Sequence, residues 1–194
     1  MGMGGVKNIR WATAVFLAML ANGAHASDNI SIIYGQKSLE ASDWEPVDSH
    51  TEFGVGVEFQ KPEWPVALVA SYLTSKDSAT VPALGVNLEL TGKTTELGIG
   101  ARKYLTDSGV RFFVEGGLAS VSAEITVGAL GVSFSDSGSA VGFWLGAGVD
   151  MMMGDVLSLG FFARLSDATV DLAGVDGAAG GTHVNVFAAY HFGK

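Results

Sequence analysis

FGVGVE at residues 53–58 is the first of three similar stretches in this chain, and LGIGAR at 97–102 and LGAGVD at 145–150 are the others. In each stretch an apolar residue alternates with glycine, and the last residue is charged. A period of two predicts a β-strand with two unlike faces, because successive side chains point to opposite sides. The stretches begin 44 and then 48 residues apart. This spacing indicates one hairpin design used repeatedly in an all-β protein.

The start of the chain has the features of an export signal. Lys7 and Arg10 form a basic start, an apolar run follows over residues 11–21, and Ala-His-Ala then supplies the small residues of a cleavage site. The apolar run is well short of the roughly 20 residues of a membrane-spanning helix. We therefore expect a cleaved signal peptide over 1–26 and a single domain over 27–194.

Charge and composition exclude several classes of protein. Without Lys7 and Arg10, nine basic residues face 20 acidic ones, a net charge of −11. Because nucleic-acid binding needs a basic surface, we expect no nucleic-acid partner. The chain contains no Cys, which excludes disulfides and thiolate metal sites. No apolar run after the signal is long enough for a membrane helix, so a membrane form of this chain would have to be a closed β-barrel.

Turn residues and alternation divide the mature chain into eight predicted strands. They are Ile30–Lys37, Thr51–Gln60, Pro65–Thr74, Thr94–Leu105, Val110–Glu124, Ser139–Met151, Val156–Ser166 and Thr182–Phe192. The short connections are 61–64, 106–109 and 152–155, and the long ones are around 38–50, 75–93, 125–138 and 167–181. This regular order predicts an eight-stranded antiparallel up-and-down transmembrane β-barrel with short periplasmic turns and long extracellular loops. Alternation at Val86, Leu88 and Leu90 indicates strands that continue beyond the lipid, and an extra short hairpin stays open.

The direction in which the apolar face of the strands points predicts whether lipid or water surrounds the barrel. On the sixth strand Val141, Phe143 and Leu145 share one face, and Gly142 and Trp144 lie on the other. In a soluble, lipocalin-like barrel the apolar face would point inward, and the outer surface would carry few charges and dissolve poorly. We therefore predict that the apolar face meets lipid. The glycines then face the lumen and leave room for larger side chains such as Trp144.

Aromatic residues gather at the end with the short connections, and we expect an interfacial girdle of Trp64, Tyr104, Tyr190 and Phe192. With the signal peptide, the eight strands and the ending FAAYHF at 187–192, the chain resembles the small outer-membrane β-barrel proteins of the OmpA/OmpX/OmpW kind. The resemblance implies a Gram-negative outer membrane, with lipid and lipopolysaccharide as neighbours. It also implies that the barrel-assembly machinery reads Tyr190 and Phe192. We expect a monomer.

The ionisable residues predicted to face the lumen form the candidate site. They are Glu52, Glu58, Glu96, Arg102, Arg111, Glu115, Asp150 and Arg164, with His183 and His191. An unpaired charge in a narrow lumen is costly, and an eight-stranded barrel has room only for side chains. We interpret the set as an ion-paired plug in a protein with a structural or surface-interaction role. The alternative is a narrow pore for small or apolar solutes, the latter favoured by apolar loop residues such as Leu84 and Leu130.

Enzymatic chemistry is not expected from this sequence. The second alternative is a lipid A-modifying enzyme, because some barrels of this size are lipid A deacylases or acyltransferases. Such a deacylase would need Ser and His on the lipid-facing side near the outer rim, whereas His183 and His191 face inward. The Gly-x-Gly pairs lack the third glycine and the following helix of a dinucleotide site. We predict no catalytic residue and no cofactor.

The long loops are acidic, and their chemistry suits divalent cations. The first contains Glu40, Asp43, Glu45 and Asp48, and the last contains Asp167, Asp171 and Asp176. Carboxylate oxygens are ligands for Ca²⁺ and Mg²⁺, which would connect these loops to lipopolysaccharide phosphates. The spacing matches no calcium-binding loop, and a solvated surface explains the charges better. We therefore predict no resident metal.

Overall fold

The strands close into an antiparallel barrel in the computed structural model, which describes residues 28–39, 41–83, 86–172 and 174–192. The elements are β1 (Asp28–Ser38), α1 (Ala41–Trp44), β2 (Ser49–Phe59), β3 (Ala67–Ala83), β4 (Val86–Tyr104), β5 (Val110–Ala129), β6 (Val132–Met153), β7 (Leu157–Asp167), β8 (Thr169–Leu172), β9 (Val175–Ala178) and β10 (Gly181–Phe192). In these ranges β1–β7 and β10 form the barrel, and β1 closes it by pairing with β2 and β10. The predicted fold class, an eight-stranded antiparallel up-and-down barrel, is confirmed. The signal peptide predicted over 1–26 lies outside the described residues.

The two ends of the barrel differ. Asp28 and Phe192 are register partners, so both described termini lie at one end, which we call the terminal end. Three short connections, residues 60–66, 105–109 and 154–156, lie at this end. The opposite end, which we call the extended end, contains the projecting parts of β3 to β6. These four strands have 17 to 22 residues, against 11 or 12 in the other barrel strands.

Two of the predicted long connections, around 75–93 and 125–138, are mostly strand instead. β5 and β6 continue until a two-residue turn, Leu130-Gly131, joins them. Both turn residues have positive φ, 52° and 81°, as a type I′ hairpin turn requires. Such turns usually contain Asn-Gly or Asp-Gly, so a turn with leucine in the first position could not be recognised from the sequence. The alternation at Val86, Leu88 and Leu90 correctly indicated that strand continues here.

The other two connections at the extended end fold over the barrel mouth and form a lid. The lid consists of residues 41–48, which include α1, and residues 168–172 and 174–180, which include the β8–β9 hairpin. Trp44 and Val47 belong to the same buried apolar cluster as Val170. Trp44 Nε1 donates a hydrogen bond to the Ala178 carbonyl at 2.6 Å, and the Ala178 amide donates to Asp43 Oδ2 at 2.9 Å. Ala178 thus joins the two halves of the lid by two hydrogen bonds.

Side chains alternate between the lumen and the exterior as the sequence predicts. Phe143 and Leu145 point outward and are 55% and 62% exposed, whereas Trp144 between them is 2% exposed. The glycines of the repeated stretches face inward and let large side chains approach the wall. A Cβ added to Gly100 would lie 2.8 Å from Trp144 Cζ2, and one added to Gly148 would lie 2.8 Å from Phe162 Cβ. In the described ranges no helix is long and apolar enough to cross a membrane.

The outward face changes from apolar to polar along each of the four projecting strands. On β6 the outward residues are Phe143 and Val141, and then Ser139 and Ser137 farther out. The other strands change from Tyr72 to Thr74, from Leu97 to Thr95 and from Leu118 to Ser120. We take this change as the outer edge of the apolar band that meets lipid.

The inward face changes in the opposite direction at the extended end. Above the polar lumen it becomes apolar, and Leu90, Val127 and Phe134 lie side by side in register on β4, β5 and β6. We call this inward surface the apolar shelf. The lid packs against Leu90, on the β4 side of the shelf. Phe134 and Val132, on the β6 side, are mostly exposed.

Candidate functional site in the barrel lumen

The eight charged residues predicted to face the lumen separate into two groups at different heights. The group near the terminal end contains Glu58, Arg102, Arg111, Glu115 and Asp150, and the group near the extended end contains Glu52, Glu96 and Arg164. All three carboxylates of Glu52, Glu96 and Asp150 are almost fully buried. The sequence predicted one network, and barrel register determines which members meet.

Arg102 is the centre of the group at the terminal end. Its Nε and Nη2 both donate to Glu115 Oε2, at 2.9 and 2.7 Å, and its Nη1 donates to Glu58 Oε2 at 2.9 Å. Arg102 and Glu115 are register partners on β4 and β5, so the sheet itself brings them together. The guanidinium lies 4.0 Å from the ring centroid of Phe113, a cation–π arrangement. One cation thus neutralises carboxylates from two other strands.

Tyr104 belongs to this group and not to the predicted girdle. Its hydroxyl donates to Glu58 Oε1 at 2.9 Å inside the lumen. The girdle prediction was wrong because it used only the position of Tyr104 near the end of its strand. Since Arg102 faces the lumen, alternation places the residue two positions later in the lumen as well. Arg111 lies over the Tyr104 ring, 4.3 Å from its centroid, and forms an ion pair with Asp150, its register partner on β6.

Lys37 is the main lumen residue that the sequence reasoning missed. Its fully buried ammonium donates to Glu96 Oε1 at 2.6 Å, to Thr94 Oγ1 at 3.0 Å and to the Ala179 carbonyl at 2.8 Å. Lys37 shares its face of β1 with the buried Ile33, so alternation was the signal that could have found it. Through Ala179 this lysine connects the lumen with the lid.

His183 lies between two carboxylates in the group near the extended end. Its Nδ1 is 2.8 Å from Glu52 Oε2, and its Nε2 is 3.3 Å from Glu96 Oε1. Asn185 Nδ2 also donates to Glu52, at 2.7 Å. Ser166 Oγ is 2.9 Å from His183 Nε2, so Ser166, His183 and Glu52 follow the hydrogen-bond order of a serine hydrolase triad.

Three observations oppose catalysis by this triad-like arrangement. Ser166 Oγ also donates to Glu96 Oε1 at 3.1 Å, so its proton has a second acceptor beside the histidine. His183 is completely buried. A reacting carbonyl would need space next to Ser166, yet the lumen cavity described below is lined by other residues. The arrangement fits a structural hydrogen-bond network.

Arg164 spans the space between the two charged groups. Its guanidinium stacks 4.0 Å from the Trp144 ring centroid, Nη1 donates to Ser71 Oγ at 3.1 Å, and Nη2 lies 3.9 Å from Glu96 Oε2. Among the described residues, Nε and Nη2 have no hydrogen-bond partner. Arg164 also lines a cavity of about 40 Å³ that reaches Arg102 and Glu115. That volume suits about three water molecules, which would satisfy the free N–H groups.

An aromatic layer occupies the lumen beside these charges. Phe113, Phe162 and Phe187 are buried and pack together with Ile33 and Leu73, whose side chains come from β1 and β3. The ring centroids of Phe113 and Phe187 are 6.3 Å apart, and those of Phe162 and Phe187 are 6.2 Å apart. Side chains from five strands therefore meet across the lumen.

His191 faces inward as predicted, with its Nε2 2.9 Å from Ser158 Oγ. The other predicted residues lie outside this lumen packing. Tyr190 points outward from β10 and is about half exposed, and Phe192 follows it on the same face at the terminal end. In the acidic loops the carboxylates of Asp43 and Asp171 accept hydrogen bonds from the amides of Ala178 and Gly174. Within the described ranges, no group of three or more His, Asp or Glu side chains could hold a metal ion.

Comparison with known proteins gives matches to membrane barrels. The family model described as "Outer membrane protein beta-barrel domain" matches residues 12–192. Comparison with curated protein sequences gives no significant match.

Three solved structures illustrate the likeness in fold. Neisserial surface protein A is 14% identical with a TM-score of 0.59, and the match covers 88% of this chain and 100% of that one. For OprG from Pseudomonas aeruginosa the values are 14%, 0.56, 89% and 99%. For Ail, the attachment invasion locus protein of Yersinia pestis, they are 14%, 0.54, 86% and 98%. At these identities the comparison concerns the fold alone.

Proposed function

Because the chain belongs to the outer membrane protein β-barrel family and is located in the cell outer membrane, we propose that it has a structural or surface-interaction role there, with a lumen closed by its own side chains. The observation that carries this proposal is the packing of the lumen. Two ion-paired groups and an aromatic layer fill it, and the cavity between them measures only about 40 Å³. This space suits water molecules and no larger solute.

The proposed orientation places the terminal end in the periplasm and the extended end outside the cell. Short turns at the first end and projecting strands at the second support it, since outer-membrane barrels have this asymmetry. The chain has no Cys, so single cysteines can report the orientation. In intact cells an impermeant maleimide should label Ser133→Cys, at the extended end, and should label Asp107→Cys only after permeabilisation. The reverse pattern would contradict the proposed orientation.

A conductance measurement tests the closed lumen. In planar bilayers the purified barrel should show no steady openings, because the packed side chains exclude hydrated ions. A variant in which residues 41–48 are replaced by Gly and Ser tests the competing view that the lid alone closes the barrel. We expect this variant to stay closed as well. Steady openings in the native barrel, or only after lid replacement, would contradict the proposal in two distinguishable ways.

Biogenesis and assembly state form part of the same proposal. We expect the barrel-assembly machinery to read Tyr190 and Phe192, whose positions on the outward face of the last strand support recognition from outside. Replacing both aromatic residues with serine should lower the amount of folded protein in the membrane, with Phe53→Ser on β2 as an apolar-to-polar control. We also expect a monomer.

The alternatives fit the geometry less well. A narrow pore for small solutes would need a continuous water path through the aromatic layer of Phe113, Phe162 and Phe187. One feature, the apolar shelf above the lumen, supports the alternative of a pore for apolar solutes. A lipid A-modifying enzyme would need its histidine at the lipid face, whereas His50, His183 and His191 are all buried. We therefore propose no enzymatic role, and an altered lipid A acyl pattern in cells with the gene would overturn that view.

A further inference from the structure

Two lysines face each other on the outer wall at the extended end. Lys76 on β3 and Lys93 on β4 are register partners, and both are exposed. Register partners on one face of an antiparallel pair bring their Cβ atoms to about 5 Å, and like charges in that position destabilise a sheet. Neither ammonium group forms an ion pair with any residue that the structure describes. A repulsive pair of this kind suggests an anion between the two side chains.

The height of the pair indicates where that anion comes from. Lys76 and Lys93 lie two residues beyond Thr74 and Thr95, where the outward face stops being apolar. In a membrane this position is the level of the lipid head groups, directly above the acyl chains. The other three described lysines cannot bind an anion at this level, since Lys37 is buried in the lumen and Lys61 and Lys103 lie at the terminal end.

Hydroxyl groups near the lysine pair can donate further hydrogen bonds to an anion. Thr74 and Thr95 lie next to the pair on the membrane side, and beyond it Ser78 Oγ and Thr91 Oγ1 are 3.0 Å apart, so hydroxyl groups flank both ammonium groups.

Glu124 is the other register partner of Lys93 on the same wall, but the two side chains do not form an ion pair within 4 Å. The loops nearby are acidic, so these outward lysines are not part of a general basic surface.

We propose that Lys76 and Lys93 together bind a phosphate group of an outer-leaflet lipid, namely a phosphate on the sugar head group of lipid A. Paired ammonium groups bind a phosphate as point charges, and the neighbouring hydroxyls donate hydrogen bonds to its remaining oxygens. The lipid then removes the repulsion within the pair and ties β3 to β4 at the membrane surface. The proposal rests on the outer-membrane location and is independent of whether the lumen conducts.

Native mass spectrometry of the detergent-solubilised barrel tests this site. The probe is hexa-acylated lipid A with both phosphates, compared with the same lipid A after removal of its phosphates. The test variant is Lys76→Gln/Lys93→Gln, and the matched control is Lys61→Gln/Lys103→Gln, which removes the same charge at the terminal end. Because the four lysines are exposed, we expect every variant to fold, and heat-modified mobility on a gel verifies folding.

The expected result is a difference that depends on both the lysine pair and the phosphate. Native and control barrels should bind phosphorylated lipid A equally, and the test variant should bind it about 25-fold more weakly, roughly fivefold for each lysine near an anionic lipid surface. Dephosphorylated lipid A should bind all three barrels alike. Millimolar inorganic phosphate should fail to displace the lipid, because the acyl chains contact the wall below.

Several results would overturn the proposal. Equal binding of phosphorylated lipid A by the native barrel and the test variant would show that the lysines do not contact phosphate. An equal loss for dephosphorylated lipid A would assign them to another role. Displacement by inorganic phosphate would indicate a site for the free anion. None of these results would alter the conductance test, so the closed lumen and the lipid site can fail separately.

Discussion

The band that meets lipid and the strands that project beyond it use the same alternation in opposite ways. In the band, Phe143 and Leu145 on β6 point outward while Trp144 points into a polar and aromatic lumen. In the projecting part of the same strand Ser137 and Ser139 point outward, and Phe134 faces inward. The backbone of β6 remains one continuous strand, but the medium around it changes from lipid to water. Where lipid surrounds the wall the apolar face turns out, and where water surrounds it the apolar face turns in.

The two regions also differ in what fills their interior. The lumen inside the band contains buried ion pairs whose members come from different strands, such as Lys37 with Glu96 and Arg102 with Glu58. The interior of the projecting region is mostly apolar, with Asp77 and Asp136 as inward exceptions, and is covered only in part by the lid. We therefore expect substitutions inside the band to be costly and equivalent substitutions in the projecting region to be mild.

The largest difference should come from removing one member of a buried ion pair. Glu96→Ala leaves the ammonium of Lys37 buried without its carboxylate, which should cost about 3–5 kcal/mol in the free energy of unfolding. Glu124→Ala on the outer wall of the projecting region should change it by less than about 0.5 kcal/mol. Urea unfolding of the barrel refolded into lipid vesicles measures both. Similar losses for the two variants would break the comparison.

A charge placed on the outer wall should locate the lipid boundary. Leu145→Arg lies within the apolar band and should cost about 2–4 kcal/mol, whereas Ser137→Arg lies beyond it and should cost about 0–1 kcal/mol. Unfolding in lipid vesicles gives the values, and the same two variants in mild detergent show whether the difference depends on the bilayer. If Ser137→Arg is as destabilising as Leu145→Arg, the boundary lies farther out.

Adding one methyl group should distinguish the packed wall from the lid. Gly100→Ala places a Cβ 2.8 Å from Trp144 Cζ2 and closer still to the Gly116 carbonyl oxygen, which should cost about 1–3 kcal/mol. Gly177→Ala in β9 meets nothing within 4 Å and should be close to neutral. The temperature at which the folded band disappears from a gel ranks the two variants. A tolerated Gly100→Ala would indicate a loosely packed lumen.

The smallest effect should be confined to the lid. Trp44→Phe removes the hydrogen bond from Nε1 to the Ala178 carbonyl, which should cost about 1 kcal/mol locally and make amide exchange in β8 and β9 about fivefold faster. Exchange in β1 to β7 should not change. Trp64→Phe at the terminal end is the matched control and should leave the lid unaffected. Faster exchange throughout the barrel would mean that lid and wall unfold as one unit.

Alternation predicted more of this molecule than any single motif did. It assigned Glu58, Arg102 and Asp150 to the inward face, because a period of two leaves no other choice once the outward face is apolar. It could not show that Arg102 meets Glu58 and Glu115 while Arg164 approaches Glu96, since those contacts depend on register between strands distant in sequence.

Three features escaped the sequence reasoning for physical reasons. Lys37 belongs to the predicted strand Ile30–Lys37, but its partner Glu96 lies 59 positions away, so the sequence did not mark it as part of a buried ion pair. The Leu130-Gly131 turn lacks the polar residues that usually mark a hairpin. The lid depends on contacts between residues more than 130 positions apart, such as Trp44 with Ala178, and no local pattern contains that information.

A depth profile along the outward face of β6 tests the central claim most directly. Because the native chain has no Cys, spin labels can be attached at single cysteines replacing Ser133, Ser137, Val141, Leu145 and Val149 in the barrel refolded into lipid vesicles. Collisions with oxygen should dominate from Val141 towards the terminal end, and collisions with a water-soluble nickel complex should dominate from Ser137 outward. A profile without this change between Ser137 and Val141 would contradict the view that the strand alternates one way in lipid and the other way in water.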